Sequence, residues 1–497
     1  MASSCQHETG LGAKWDMSQS TIVAIFYQSP VLQKKVSDQL ECMMSSRFYF
    51  LASDSTSYRL PSMEVLDQMY RDIHSLYRAL IPHPHQRKPF PTHWTTIAHH
   101  FGYFIPFFAL CYCARRRDTS YIRLALLPVI ILWALHGTFA YDVEYHPREL
   151  LTQWSRGLYA FMVIIFSLEL SLSEHGRLRI GEKVLPGIGE ATTVEKKQQL
   201  NDPNPAQKTW VQRNLPLWFR DIFDVILSLR GMGWEFGEGV YIPKPNRPLW
   251  RGPFLKSTAV HVIQDFLVID ILSTIIRNLP GMDPHYGGTI FYASLPPILR
   301  YLVSSLITIL TGSALIVGMN LEKGIVALFS VGVLFRPPSE FPPLFGDNLV
   351  CSDSVHDFWN RQWHQCLRRM FVVMGGIPGK WIADRYGFIL GTFVASGLFH
   401  ELSFYLVNRG VDHRVTWFFV SQGIAMILEE IFRRVSGKRV GGPWGRMWTW
   451  MITIGFGQLC VDAWLSRGVG VSIFISENSS PTRRFILPFI RSFLPKS

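Results

Sequence analysis

The chain has 497 residues, of which 48% are hydrophobic and only 17% charged, and it carries a formal net charge of +12. A soluble chain of this size usually has about 25% charged residues, so the deficit argues against an ordinary soluble globule and for a polytopic membrane protein. No nucleic-acid recognition motif accompanies the positive charge; the basic residues cluster beside apolar segments, where they set topology and meet anionic headgroups.

Residues 1–95 are mixed and Ser-rich and end in Ile81-Pro82-His83-Pro84-His85, which reads as a cytosolic or interfacial region. The first residues include His7, Glu8 and Asp16 instead of a basic stretch before an apolar core, so no cleavable signal peptide is expected. Residues 96–470 hold about eight segments that approach the roughly 20 apolar residues needed to cross a bilayer. They are 97–113, 121–141, 157–173, 258–277, 290–317, 387–407, 415–432 and 448–466. A shorter apolar piece at 324–335 reads as re-entrant or buried, and 471–497 form a C-terminal tail. The expected fold is all-α: a polytopic membrane protein with about eight transmembrane helices and additional interfacial helices.

Three basic connections support one topology. Arg115, Arg116, Arg117 and Arg123 follow the first segment; Lys196, Lys197, Lys208 and Arg213 lie in a long loop at 174–257; Arg433, Arg434, Lys438, Arg439 and Arg446 precede the last segment. Cytoplasmic loops carry excess Lys and Arg, and an even number of spans separates these three. The connection at 142–156, with Asp142, Glu144 and Glu149, then faces the opposite side. The long loop also contains Pro203 and Pro205 as turn signals, and Ser228-Leu229-Arg230-Gly231-Met232-Gly233-Trp234. The latter reads either as an interfacial turn anchored by Trp or as a substrate contact. The seven cysteines show neither a metal-ligand spacing nor a disulfide framework.

Two histidine segments carry the chemistry. In the first, Phe358-Trp359-Asn360-Arg361-Gln362-Trp363-His364, a helix over 358–371 puts Trp359, Trp363, Cys366, Leu367 and Met370 on one arc. Asn360, Arg361, His364, Gln365 and Arg368 fall on the opposite arc. That is the pattern of an interfacial helix, whose Arg361 and Arg368 meet either lipid phosphates or a phosphate-rich ligand such as coenzyme A. In the second, Ser396-Gly397-Leu398-Phe399-His400-Glu401 places an imidazole inside an apolar stretch. An ionisable group at membrane depth is a functional-site hypothesis. His400 is either a satisfied core residue or a general base that removes a hydroxyl proton as the oxygen attacks a thioester. No Gly-x-Ser-x-Gly elbow suggests a serine acyl-enzyme.

Phe358-Trp359-x-x-x-Trp363-His364 followed by Ser-Gly-Leu-Phe-His400-Glu resembles the wax-synthase-like branch of the membrane-bound O-acyltransferases. The 228–234 segment and Pro342-Pro343-Leu344-Phe345-Gly346 resemble the branch found in fungal terpenoid and meroterpenoid clusters, so the likeness runs over about 225–465. The resemblance implies a helical bundle enclosing a tunnel, with acyl-CoA entering from the cytosol and the alcohol from the bilayer. It implies His400 as general base and His364 at a second catalytic position that is asparagine in many relatives, with Phe358 and Trp363 packed around it; by size alone, Ser396, one turn before His400, leaves room for a substrate or a neighbouring helix. The resemblance further implies acetyl-CoA as co-substrate, a terpenoid or meroterpenoid alcohol as acceptor, no permanently bound cofactor or metal, and residence in the endoplasmic reticulum. Competing readings are a long-chain wax-ester or sterol acyltransferase, a membrane transporter using Asp265 and Asp270, and a non-catalytic membrane scaffold. The oligomeric state is not legible.

Overall fold

The structure is a computed structural model that describes residues 63–89, 100–142, 150–188, 190, 216–283, 286–406, 410–472, 475 and 477–493. Most of the 1–95 region, Glu144, Glu149, Lys196, Lys197, Lys208, Arg213, Pro203 and Pro205 lie outside the described residues. Residues 75–497 form one compact unit. The long elements are helices, namely α1 (Met63–Leu80), α2 (Phe104–Cys113), α3 (Ser120–Phe139), α4 (Leu150–Leu172), α5 (Leu217–Ile226), α6 (Arg251–Arg277), α7 (Pro297–Gly332), α8 (Ile377–Leu406), α9 (His413–Ser436), α10 (Gly442–Leu465) and α11 (Leu487–Phe493). A two-residue parallel pair, β1 (Lys88–Pro89) and β2 (Tyr141–Asp142), is the only ladder among the described residues.

Six helical segments are long and apolar enough to cross a membrane among the described residues. Eight segments were expected, and two fall short for different reasons. Helix α2 has 10 residues, which at 1.5 Å per residue is about 15 Å, half of a hydrocarbon core. Helix α10 has 24 residues and is long enough, but Gln458, Asp462 and its glycines and tryptophans dilute its hydropathy. The piece at 324–335 is not a re-entrant segment: for most of its length it is the end of α7, a single 36-residue helix.

The decisive departure from expectation lies at 368–406. A helix forms over Arg368–Phe371, passes through a π turn at Val372–Gly376 and continues into α8. Pro378 follows the π turn; a residue without an N–H cannot complete the regular ladder, and local irregularity absorbs that. The chain then reverses at Ala383 (φ −143°, ψ 35°) and Asp384 (φ 45°, ψ −127°). A Cβ on Gly375 would lie 2.0 Å from the Gly391 carbonyl oxygen, and one on Gly379 2.1 Å from that of Gly387. Residues 16 and 8 positions apart touch backbone to backbone only when two legs run antiparallel. The stretch is therefore a hairpin, with a shorter first leg (368–382) and a longer second leg (385–406).

Around the hairpin, α6 packs on α7, the second leg on α4 and α9, and α9 on α10. The largest apolar cluster joins Tyr103, Phe107 and Leu110 of the α2 region to Ile130 of α3, Phe166 and Leu170 of α4, Val225 of α5, Trp234, and Phe399 of α8. Buried charge ties the hairpin down. Glu169 of α4 accepts from Arg369 on one oxygen and Arg177 on the other, both at 2.7 Å. The arginines expected at the headgroups are partly internal: Arg115 pairs with Glu182 at 2.6 Å and Arg116 with Asp221 at 2.7 Å.

Candidate active site

Four sequence segments converge on one cavity of about 2350 Å³, lined mainly by apolar side chains. The first is 228–234. Gly231 and Gly233 both have positive φ (71° and 78°), and Gly237 packs so closely on Gly231 that a Cβ there would meet its Cα at 2.4 Å. This turn buries Trp234 and aims Arg230 at the second segment, where its Nη1 donates to the Pro343 carbonyl at 2.8 Å. The second segment, 342–346, packs on the third: Phe345 meets Trp363 at 5.3 Å and His364 at 6.0 Å between ring centroids. The two upstream motifs therefore touch each other and the first histidine segment.

That histidine segment is not the single amphipathic helix expected. One short helical turn at Val355–Asp357 passes into a π turn at Phe358–Gln362, and Trp363 is extended (φ −79°, ψ 153°). Gln365 holds the break open by donating from Nε2 to the carbonyls of Trp359 and Trp363, both at 2.8 Å. The break turns His364 inward instead of leaving it on a polar arc. Its Nδ1 is buried with no hydrogen-bond partner. Burial pushes its pKa down to about 3, and the nearby His400 and Arg230 act in the same direction. A neutral imidazole offers one N–H and one lone pair.

His400 comes from the second leg of the hairpin. Its Nδ1 lies 2.7 Å from the Ser396 carbonyl oxygen. A carbonyl can only accept, so Nδ1 carries the hydrogen and Nε2 keeps the lone pair. The ring stacks on Phe419 at 4.6 Å and lies 6.5 Å from Trp464. Glu401 turns the other way and pairs with Arg467 at 2.8 Å.

The hairpin explains why residues 36 positions apart line one cavity. Its glycine contacts (375 with 391, 379 with 387) set a mirror point near 383, so a residue shortly before the first leg faces one near the end of the second. His364 and His400 line the same cavity and lie within electrostatic reach of one another. Rings join them: His364 to Trp363 (5.4 Å), Trp363 to Trp359 (5.7 Å), Trp359 to Phe419 (6.2 Å), and Phe419 to His400.

Of the other sequence candidates, Phe358, Trp363, Arg368 and Ser396 line the cavity. Phe358 is buried and stacks on Trp363 at 5.6 Å. Arg361 does not line it: its side chain is 62% exposed and sits 4.0 Å from Asp357, because the π turn rotates it away from Arg368. Sequence reasoning missed Lys323 and did not single out Arg230 or Gln365. Arg230 stood inside a quoted motif; Lys323 was hidden in an apolar stretch. Among the described residues no group of three or more His, Cys, Asp or Glu is placed to hold a metal ion. Asp270 is fully buried, accepting from Ser480 Oγ at 2.5 Å and Thr482 N at 2.8 Å; it anchors the C-terminal tail.

Comparison with known proteins falls on the same segment. Residues 341–421 match the Membrane bound O-acyl transferase family. An O-mevalon transferase of Aspergillus niger is 26% identical over 312 residues, covering 56% of this chain and 67% of that protein. An acetyltransferase of Aspergillus fumigatus is 24% identical over 245 residues, covering 45% and 41%. A probable long-chain-alcohol O-fatty-acyltransferase of Arabidopsis thaliana is 31% identical over 124 residues, covering 24% and 36%. The chain thus spans between about a third and two thirds of these relatives' lengths. The segment matched by that family, residues 341–421, carries both histidines.

Proposed function

We propose that this multi-pass membrane protein transfers an acyl group from acyl-CoA to the hydroxyl of a hydrophobic alcohol, with acetyl-CoA as donor and a terpenoid or meroterpenoid alcohol as acceptor. The observation that carries this reading is the tautomer of His400. With Nδ1–H held by the Ser396 carbonyl, Nε2 is a lone-pair base in a cavity it shares with a second buried imidazole. In the proposed step the acceptor oxygen attacks the thioester carbonyl while His400 Nε2 takes the hydroxyl proton. The tetrahedral intermediate collapses, the C–S bond breaks, and the coenzyme A thiolate recovers that proton. The products are an ester and free coenzyme A. His364, uncharged, donates its N–H to the developing oxyanion. Arg368 is the cavity cation assigned to the donor's phosphates.

Acetyl as the transferred group is supported by the likeness to the Aspergillus fumigatus acetyltransferase, which covers 45% of this chain; a second probable long-chain-alcohol O-fatty-acyltransferase of Arabidopsis thaliana covers 41% and supplies the long-chain alternative. The transporter reading loses Asp270, whose carboxylate is engaged by the tail. Residence in the endoplasmic reticulum belongs to the same proposal. The test offers acetyl-CoA and palmitoyl-CoA, each with terpenoid and fatty alcohols, to membranes carrying the wild type or His400→Ala. Acetyl esters of a terpenoid alcohol, absent with the variant, support the reading. Palmitoyl esters of fatty alcohols move it to wax synthesis, and esters formed equally by both proteins reject His400 as the base.

A further inference from the structure

Three of the cations that line the cavity have acidic partners. Arg115 pairs with Glu182, Arg179 with Asp224, and Arg336 with Asp224 and Glu340. Arg230 is different. It is 8% exposed, and its Nη1 is used by the Pro343 carbonyl at 2.8 Å. Its Nε and Nη2 are buried with no hydrogen-bond partner. These two atoms form the side of the guanidinium that matches a carboxylate with two parallel N–H···O bonds. Lys323 of α7 lines the same cavity and lies within electrostatic reach of both Arg230 and Cys366. Among the described residues it has no ion pair, and Glu322 beside it instead accepts from the Tyr159 hydroxyl at 2.8 Å.

Two basic side chains that line one apolar cavity within electrostatic reach of each other repel when both are charged, and unpartnered buried donors cost free energy. An anion between them removes both penalties. Its position limits its identity. Arg230 is close enough to His364 for its charge to act on that ring, and Cys366 feels both cations. An anion held there sits beside the reacting centre. The phosphates of an acyl-CoA whose thioester is at His400 are removed from that centre by the whole pantetheine arm.

We propose that Arg230 and Lys323 form a carboxylate-binding subsite, and that the preferred substrate carries a carboxylate near the group that reacts. This rests on the acyltransferase reading for the reaction but not for the binding. The acceptor is the expected source, a hydroxy acid with an apolar skeleton, since an acetyl group carries no second carboxylate.

The test uses the full chain in membranes or detergent. Binding is read first, by quenching of tryptophan fluorescence, with a hydroxylated terpenoid acid and its methyl ester as probes. The acid is expected to bind about ten-fold or more tighter than the ester, as a charge-assisted hydrogen bond implies. That preference should vanish in Arg230→Gln and Lys323→Gln and fall in Arg230→Lys, which keeps the charge and loses the fork. Transfer is read second, with acetyl-CoA and either acceptor, and with succinyl-CoA and a neutral alcohol. Arg230-dependent preference for the hydroxy acid places the carboxylate on the acceptor; Arg230-dependent preference for succinyl-CoA places it on the acyl group; both support the subsite. Equal binding of acid and ester by the wild type overturns it, as does a loss in Arg230→Gln confined to the Michaelis constant for acetyl-CoA. Selective binding of the acid without any transfer keeps the subsite and fails the acyltransferase reading.

Discussion

Gly379 and Gly387 face each other across the hairpin so closely that a Cβ on either would lie 2.1 or 2.0 Å from the other's carbonyl oxygen. The obstacle is backbone, which has no rotamer to change. This contact, with Gly375 and Gly391, fixes the register that brings His364 and His400 to one cavity. Gly379→Ala or Gly387→Ala should force the legs apart, at about 1–3 kcal/mol of overpacking. A displacement near 1 Å at the reacting groups is expected to lower transfer about a hundred-fold. Gly455→Ala is the control, because a Cβ there meets nothing within 4 Å. Turnover per folded molecule separates the two effects; normal turnover in both hairpin variants rejects the register argument.

His400→Ala should remove transfer by about 10²–10⁴-fold, the usual contribution of a positioned base, with the protein still inserted in the membrane. His400→Gln tests the lone pair more narrowly. Its amide can keep a bond to the Ser396 carbonyl, yet it supplies no basic nitrogen, so it should be nearly as inactive. A Gln variant near wild-type rate means that His400 positions substrate without taking a proton.

Both histidines were readable as an unusual pair, and so was the helical bundle, because a nearly uncharged run of about 20 residues has few other solutions. The hairpin was not. Sequence reading places a helix at 358–371 and a span at 387–407 and assigns nothing to 372–386, where neither Ala383 nor Asp384 is a strong breaker. The signal was present in the spacing of Gly375, Gly379, Gly387 and Gly391, whose four-residue steps mark one face of each leg. The break at Trp363 was missed for a related reason. The 358–371 stretch has good helical amphipathicity, but tertiary packing around Phe345 and the side-chain bonds of Gln365 outweigh that local preference.

His364 gives a pH signature. An unperturbed histidine titrates near 6.5, whereas burial holds this one down to about 3 in the folded protein. The unfolded chain therefore binds the proton first. The stabilising contribution is fully present above about pH 6.5 and is lost as the pH falls toward about 3. His364→Asn removes that titration, so its unfolding temperature should drop less than that of the wild type between about pH 7 and about pH 5. Asn also supplies an N–H, so this variant should transfer faster than His364→Ala. Parallel melting curves for wild type and Asn variant contradict the assignment.

Asp270 separates enzyme from transporter. Its carboxylate accepts from Ser480 Oγ and Thr482 N, so Asp270→Ala leaves two buried donors unpaired, at about 1–3 kcal/mol each. The expected outcome is a less stable protein whose folded fraction forms ester at the wild-type rate. Loss of transfer at unchanged stability gives Asp270 a chemical role instead.

Arg361 and Arg368 were paired by helical spacing and are separated by the π turn. Arg368 lines the cavity, while the side chain of Arg361 is 62% exposed and 4.0 Å from Asp357. A charge-assisted contact to phosphate is worth about 1.5–3 kcal/mol, so Arg368→Gln should raise the Michaelis constant for acyl-CoA about ten-fold or more. The turnover number should change little, because the phosphate contact is made equally in ground and transition states. Arg361→Gln should leave both constants near those of the wild type. The reverse pattern, with Arg361 controlling the donor's Michaelis constant, places the phosphates outside this cavity and would require a different entry for acyl-CoA.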